Sequence, residues 1–229
     1  MITQSSNIRF RSLRSLLVLP LLGLLTVATS FDTGSTDVIR AKHKITVILD
    51  AGHGGADNGA HNEAGVKEKE LTIIITRKMA ALAGQYNIEM VPTRKADVSM
   101  DLAERVKVGE RAPADLFISI HVNKSPNGRD AAHPYELIVS RSNKAFAASN
   151  ALASAIGAQL ETMQIKAPLA DKQLLVLREN KLPAVTIECG NIDNSEQMAM
   201  LTDEQQLTVF CEKILSGIVS YDNYLHKHQ

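Results

Sequence analysis

Three short apolar runs rich in β-forming residues each lead into a side chain able to bind a metal or move a proton. The first, Ile45 to Leu49 (ITVIL), runs into Asp50-Ala51-Gly52-His53. The second, Leu116 to Val122 (LFISIHV), carries His121 near its end and stops at Asn123. The third, Val185 to Ile187, is followed by Glu188-Cys189-Gly190. Runs of this length without alternation suit strands buried on both faces. Segments with helical spacing lie between and after them. Glu68 to Ala83 has apolar residues at 71, 75, 79 and 82, and Leu102 to Val108 is similar. Phe146 to Leu160 is Ala-rich, with Leu152, Ile156 and Leu160 on one face. A final helix is expected from Asp203 to Tyr224, with Leu207, Phe210, Ile214 and Ile218 inward. Ile88 to Val91, Tyr135 to Val139 and Leu174 to Leu177 read as further strands. Strands alternating with helices predict an α/β fold: a twisted, mostly parallel sheet with helices on both faces, in a single domain over residues 44–226.

The chain ahead of that domain reads as an address. Arg9, Arg11 and Arg14 are the only charges before Asp32, and an apolar run from Leu16 to Val27 and small residues to Ser30 follow. This order is that of a secretory signal over residues 1–30, followed by a polar linker over 31–43. The apolar run falls short of the ~20 residues a spanning helix needs. Export to the periplasm or cell envelope is the expectation. Formal net charge is zero over 229 residues, which argues against a nucleic-acid partner. Cys189 and Cys211 lack the spacing of a zinc cluster and sit in apolar contexts. They read as buried thiols or as a bridge formed in an oxidising compartment.

In open α/β sheets, ligands bind beyond the carboxyl ends of the strands. That rule gathers His53, His121 and Glu188 at one sheet edge. Two imidazoles, a carboxylate and an open position form a catalytic zinc shell. Glu63, Glu68, Glu70 and Asp57 are all candidates for the carboxylate. Glu68 opens a helix, where the dipole favours an acid with or without a metal. His121 lies in an apolar strand where an unpaired imidazole would be costly to bury, and a ligand role removes that cost. His43, His61, His133, His226 and His228 sit in polar stretches and read as surface, with His61 the nearest competitor to His53. Glu188 sits among apolar residues and is therefore either paired or functional. The chain has no His-Glu-x-x-His helix, no Gly-x-Ser-x-Gly elbow and no P-loop.

The run ILDAGHGG, the Glu68-Lys69 pair, TRKAD at 93–97, LAERV at 102–106, FISIHVN at 117–123, VLR at 176–178 and the stretch from Pro183 to Glu188 together resemble the zinc-dependent N-acetylmuramoyl-L-alanine amidases of the type 3 family. The resemblance extends from Ile45 to about Tyr224. It implies zinc held by His53, Glu68 and His121, with Glu188 as the catalytic acid–base group. It also implies peptidoglycan as substrate, cut at the amide joining N-acetylmuramic acid to L-alanine. Asn123 and Arg178 are weaker candidates to line the groove, and Arg94 and Asp97 are expected to pair with each other. The chain departs from the family pattern at Ala51, where Pro is usual, and at Cys189 to Asn194, which changes the wall beside the site. Only a short segment joins His121 to Ala145, which leaves no room for the inhibitory helix of some members, and no cell-wall-binding repeats are seen. A monomer is expected, with an activating protein left open. The competing expectations are a zinc amidase or peptidase acting on another amide, and an inactive peptidoglycan-binding module.

Overall fold

The apolar runs become the centre of a six-stranded sheet in the computed structural model, which describes residues 39–111, 113–124 and 135–227. Residues 1–30, most of the 31–43 stretch, His133, His228 and residues 125–134 lie outside the described residues. In chain order the elements begin with β1 (Ile45–Ala51), α1 (Glu68–Ala83), β2 (Ile88–Pro92), α2 (Leu102–Arg111) and β3 (Leu116–Asn123). They continue with β4 (Tyr135–Val139), α3 (Phe146–Glu161), β5 (Leu169–Asp171), α4 (Leu175–Arg178), β6 (Ala184–Asn191), α5 (Ser195–Thr202) and α6 (Glu204–Lys227). Spatial order is β2-β1-β3-β6-β4-β5. All neighbouring pairs are parallel except β4 with β6. The expected architecture is therefore the observed one.

The two faces of the sheet are unequal. Val47, Leu49, Ile118, Ile120, Val185 and Ile187 point to the larger core, beneath α1, α3 and α6. Leu71, Ile75 and Met79 supply the α1 stripe, and Leu207, Phe210, Ile214 and Ile218 that of α6. Each fully buried side chain of this size stabilises the fold by about 1.5–3 kcal/mol. On the other face Ile48, Phe117, Ile138 and Ala184 meet only α2 and α4, through Val106, Val176 and Leu177. No helix among the described residues is long and apolar enough to cross a membrane.

Three local expectations are corrected. Leu174 to Leu177 does not form a strand. Leu175–Arg178 is a single helical turn that buries Val176 and Leu177 against the smaller core, and the edge strand is β5. A four-residue apolar run carries no period that separates the two states. The helix α5 was not foreseen; its N-terminus is capped by the Asn194 side chain, which accepts from the amides of Glu196 and Gln197. The end of the 31–43 stretch is not a free linker, because Ala41 is buried and its amide donates to the Tyr86 carbonyl at 3.1 Å.

Candidate metal centre

The loop after β1 is where the chain spends conformational energy. His53 has φ 59°, in the left-handed region that a residue bearing a Cβ adopts only under constraint. Such a conformation costs on the order of 1–3 kcal/mol and persists when its surroundings over-determine it. The surroundings here are two buried arginines. Arg105, from α2, donates to the carbonyls of Ala51 and His53, each at 2.7 Å. Arg94, just after β2, donates to the carbonyls of Ala51 at 2.9 Å and Gly52 at 3.0 Å. Thr72 on α1 also donates to the Gly52 carbonyl, at 2.9 Å. The charge of Arg105 is matched by Asp50, 2.7 Å away. Asp50 also accepts from Thr93 at 2.6 Å and Ser119 at 2.7 Å. Arg94 does not pair with Asp97, contrary to expectation. Asp97 instead holds Lys69 at 2.8 Å and accepts from the Gly55 amide at 2.7 Å, while Arg94 is used up by carbonyls.

Small residues let the donors approach one another. A Cβ on Gly52 would stand 2.5 Å from the His121 imidazole. A Cβ on Gly59 would stand 2.6 Å from both Glu68 Oε2 and the His53 ring, at a φ of 64° that already disfavours a side chain.

His53, Glu68 and His121 converge in this space. Each offers a ligand atom within 4.8 Å of the others. A tetrahedral zinc with bonds near 2.1 Å separates its ligands by about 3.4 Å, so the spacing is of the right order. The imidazoles stand edge to face, with ring centroids 5.0 Å apart. Glu68, the first residue of α1, bridges them: Oε2 lies 3.1 Å from His53 Nε2 and Oε1 lies 2.9 Å from His121 Nδ1. The same carboxylate accepts from the amides of Ala60 at 2.9 Å and Val122 at 3.1 Å. Burial acts to raise the pKa of Glu68, but the hydrogen bonds from His121 and His53 outweigh it and hold the group well below the usual carboxylate range. Burial likewise acts to lower the pKa of His53, and Glu68 and Asp57 overcome this to raise it to about 9. Asp57 lies 2.8 Å from His53 Nδ1 and fixes the ring. Of the other candidate acids, Glu63, Glu70 and Asp57 are exposed and only Glu68 is buried among the imidazoles. His61 is exposed and stands outside the cluster.

Glu188 occupies the neighbouring position on β6, in register with His121 on β3. Its environment is the reverse of that of Glu68. Oε2 is buried and has no hydrogen-bond partner among the described residues. Burial raises its pKa, with His121 acting against the rise and Glu68 adding to it. An orphaned buried carboxylate oxygen beside a cluster of metal-ligating side chains is what an acid–base group awaiting a reactant would present. A pocket of about 370 Å³ opens at the cluster, bordered by His53, Asp57, Met100, Asp101, Leu102 and His121. Neither Asn123 nor Arg178 borders it. Asn123 ends β3 opposite Asn191, and Arg178 ends α4 with its Nε donating to Glu179 at 3.0 Å. Cys189 and Cys211 are free and buried, and burial pushes both thiols up, Cys211 to about 12.

The residues that sequence reasoning missed are those behind the site: Asp50, Arg105 and Lys69, together with the true role of Arg94. Their signal was present. Charged residues inside otherwise apolar helical or strand-end patterns are unexpected unless paired.

Comparison with known proteins places the whole domain in a family. Residues 47–220 match the N-acetylmuramoyl-L-alanine amidase family. Over 185 residues the chain is 34% identical to the endolysin of Bacillus phage SPP1, covering 79% of this chain and 67% of that protein. Its fold matches that of the N-acetylmuramoyl-L-alanine amidase AmiC2 of Nostoc punctiforme, with TM-score 0.69 and 30% identity over 80% of this chain and 98% of that one. It also matches an N-acetylmuramoyl-L-alanine amidase from Clostridium difficile 630, with TM-score 0.72 and 30% identity over 78% of this chain and 97% of that one. With its sheet, the convergence of His53, Glu68 and His121 and these matches taken together, the chain belongs to the N-acetylmuramoyl-L-alanine amidase family.

Proposed function

We propose that this chain is a zinc-dependent peptidoglycan hydrolase that cuts the amide between N-acetylmuramic acid and L-alanine, with His53, Glu68 and His121 as zinc ligands and Glu188 as general base. The observation that carries the reading is the register pairing of Glu188 with His121, which sets one unsatisfied carboxylate beside a two-imidazole, one-carboxylate donor set. When bound there, zinc supplies Lewis acidity towards a water and towards the scissile carbonyl. Asp57, accepting from Nδ1 of His53, leaves Nε2 of that ring free to act as ligand. Glu188 takes a proton from the attacking water and returns it to the departing L-alanine nitrogen. Its raised pKa suits both steps, since the group must accept a proton and then release it.

The export signal over residues 1–30 and the catalytic domain over 44–226 belong to the same reading, which sets the protein to work as a monomer in the cell envelope. The testing experiment measures zinc content and peptidoglycan cleavage together, on protein lacking residues 1–30, with and without chelator. About one zinc per chain, as a four-coordinate site with a single open position requires, and chelator-sensitive release of stem peptides from the glycan, are expected. Zinc without release of stem peptides would favour an amidase on another amide. Retention on sacculi with neither zinc nor cleavage would favour a binding module.

A further inference from the structure

One face of the sheet carries a row of ionisable side chains leading away from the centre. His121 on β3, Glu188 on β6 and Glu136 on β4 are successive register partners, so their side chains share one face. Adjacent strands lie about 4.8 Å apart, which sets Glu136 roughly 10 Å from His121 across the sheet. Lys172 follows β5, its amide donating to the Val139 carbonyl at 2.9 Å, and its ammonium is ion-paired with Glu136. The Glu136 side chain is mostly covered, at 17% exposure, whereas Lys172 is 47% exposed. Glu136 thus engages the ammonium, and among the described residues Lys172 has no second side-chain partner, which leaves further donors for a ligand. Burial dominates the pKa rise of Glu188, and Lys172 and Glu136 act on it in opposite directions, so both charges lie within its electrostatic reach. The pocket beside His53 is bordered by Asp50, Asp57 and Asp101 together with Arg105, and neither Glu136 nor Lys172 borders it.

We infer that Lys172, held by Glu136, binds the carboxylate of the stem residue that follows L-alanine, so that the stem peptide crosses β6 and β4. This rests on the amidase reading. An extended peptide advances about 3.3–3.6 Å per residue, so the carboxylate of the second residue stands roughly 7–10 Å from the scissile carbon, matching the span from His121 to Glu136. An ammonium carries three donors, so Lys172 can hold Glu136 and a peptide carboxylate together. The second stem residue carries its α-carboxyl either free or as the amide, and Lys172 distinguishes the two forms because only the free acid completes an ion pair.

The test uses two intact peptidoglycans that differ in whether this carboxyl is free or amidated. It compares initial rates of stem-peptide release at limiting substrate by the zinc-loaded wild type, Lys172→Met and Lys172→Arg. The readout is the ratio of the free-acid rate to the amide rate, which a general loss of folding or of zinc does not change. The wild type should favour the free acid by about fivefold, the size of a half-exposed ion pair. Lys172→Met should bring the ratio close to one, and Lys172→Arg should restore most of the preference. A ratio unchanged in Lys172→Met, or a wild type without preference, overturns the inference while leaving the amidase reading intact. Failure of the wild type to release stem peptides from either material overturns both.

Discussion

Two glutamates stand beside His121, Glu68 buried and Glu188 half-buried, and they have opposite environments. Glu68 receives backbone amides from Ala60 and Val122 and touches both imidazoles, which keeps it ionised. Glu188 has an oxygen with no partner among the described residues and is pushed towards its protonated form. The difference separates two tasks. A ligand must present permanent negative charge in a fixed place, so the fold surrounds it with donors. An acid–base group must exchange a proton during the reaction, so the fold leaves it under-satisfied. The contrast supports the two proposed roles, which residue type alone cannot separate.

The comparison breaks most sharply if either carboxylate is neutralised. Glu68→Gln should abolish zinc binding and activity together, because an amide supplies no anionic ligand and sits poorly among donors arranged for a carboxylate. Metal analysis after desalting should find close to no zinc. Retention of stoichiometric zinc would remove Glu68 from the ligand set. Glu188→Gln should do the opposite, keeping zinc while turnover falls by about 10²–10⁴-fold, the range for loss of a general acid–base group. A Glu188→Gln protein that cleaves sacculi at the wild-type rate would end that assignment.

The division between legible and illegible features follows the same line. The strands β1, β3 and β6 were legible because burial on both faces demands unbroken apolar runs. The convergence of His53, His121 and Glu188 followed from the parallel topology, which brings strand ends far apart in sequence to one edge. The choice of Glu68 over Glu63, Glu70 and Asp57 was not available from spacing. It depends on how the loop from His53 to Lys67 folds back so that α1 begins under His121. The helix α4 was misread because four apolar residues have no measurable period. The arginines at 94 and 105 were visible as charges, but their partners are backbone carbonyls, which no residue pattern announces. Asp50 was read as the end of a strand, and its three donors come from three different elements.

Those arginines extend the comparison from the carboxylates to their supports. Arg105→Lys would retain the charge facing Asp50 but lose the fork that reaches the Ala51 and His53 carbonyls together. His53 would then relax from its left-handed backbone, and zinc affinity should fall by about 10–100-fold, as for loss of an outer support of a metal ligand. Competition with a chromogenic chelator measures this. Glu188 would be untouched, so turnover at saturating zinc should recover towards the wild-type level. An unchanged affinity would mean that the His53 loop is held without Arg105.

The smallest expected effect is the dependence of stability on pH in the zinc-free protein, and its sign separates the two glutamates. Glu68 has a folded pKa below the ordinary 4.5. Its contribution is present above that value and is lost as pH falls towards the folded pKa. Glu188 has a folded pKa above 4.5. Its contribution is present below 4.5 and is lost as pH rises through the folded value. Urea unfolding at a series of pH values should therefore show the stability of wild type relative to Glu68→Gln increasing with pH in the acid range. Relative to Glu188→Gln it should decrease. The acid limb of turnover in the zinc enzyme should also be displaced above the ordinary carboxylate range, because the base must be ionised to act. Two differences of the same sign would mean that the donors around Glu68 and the missing partner of Glu188 do not set their charges, and the separation of roles would have to rest on zinc alone.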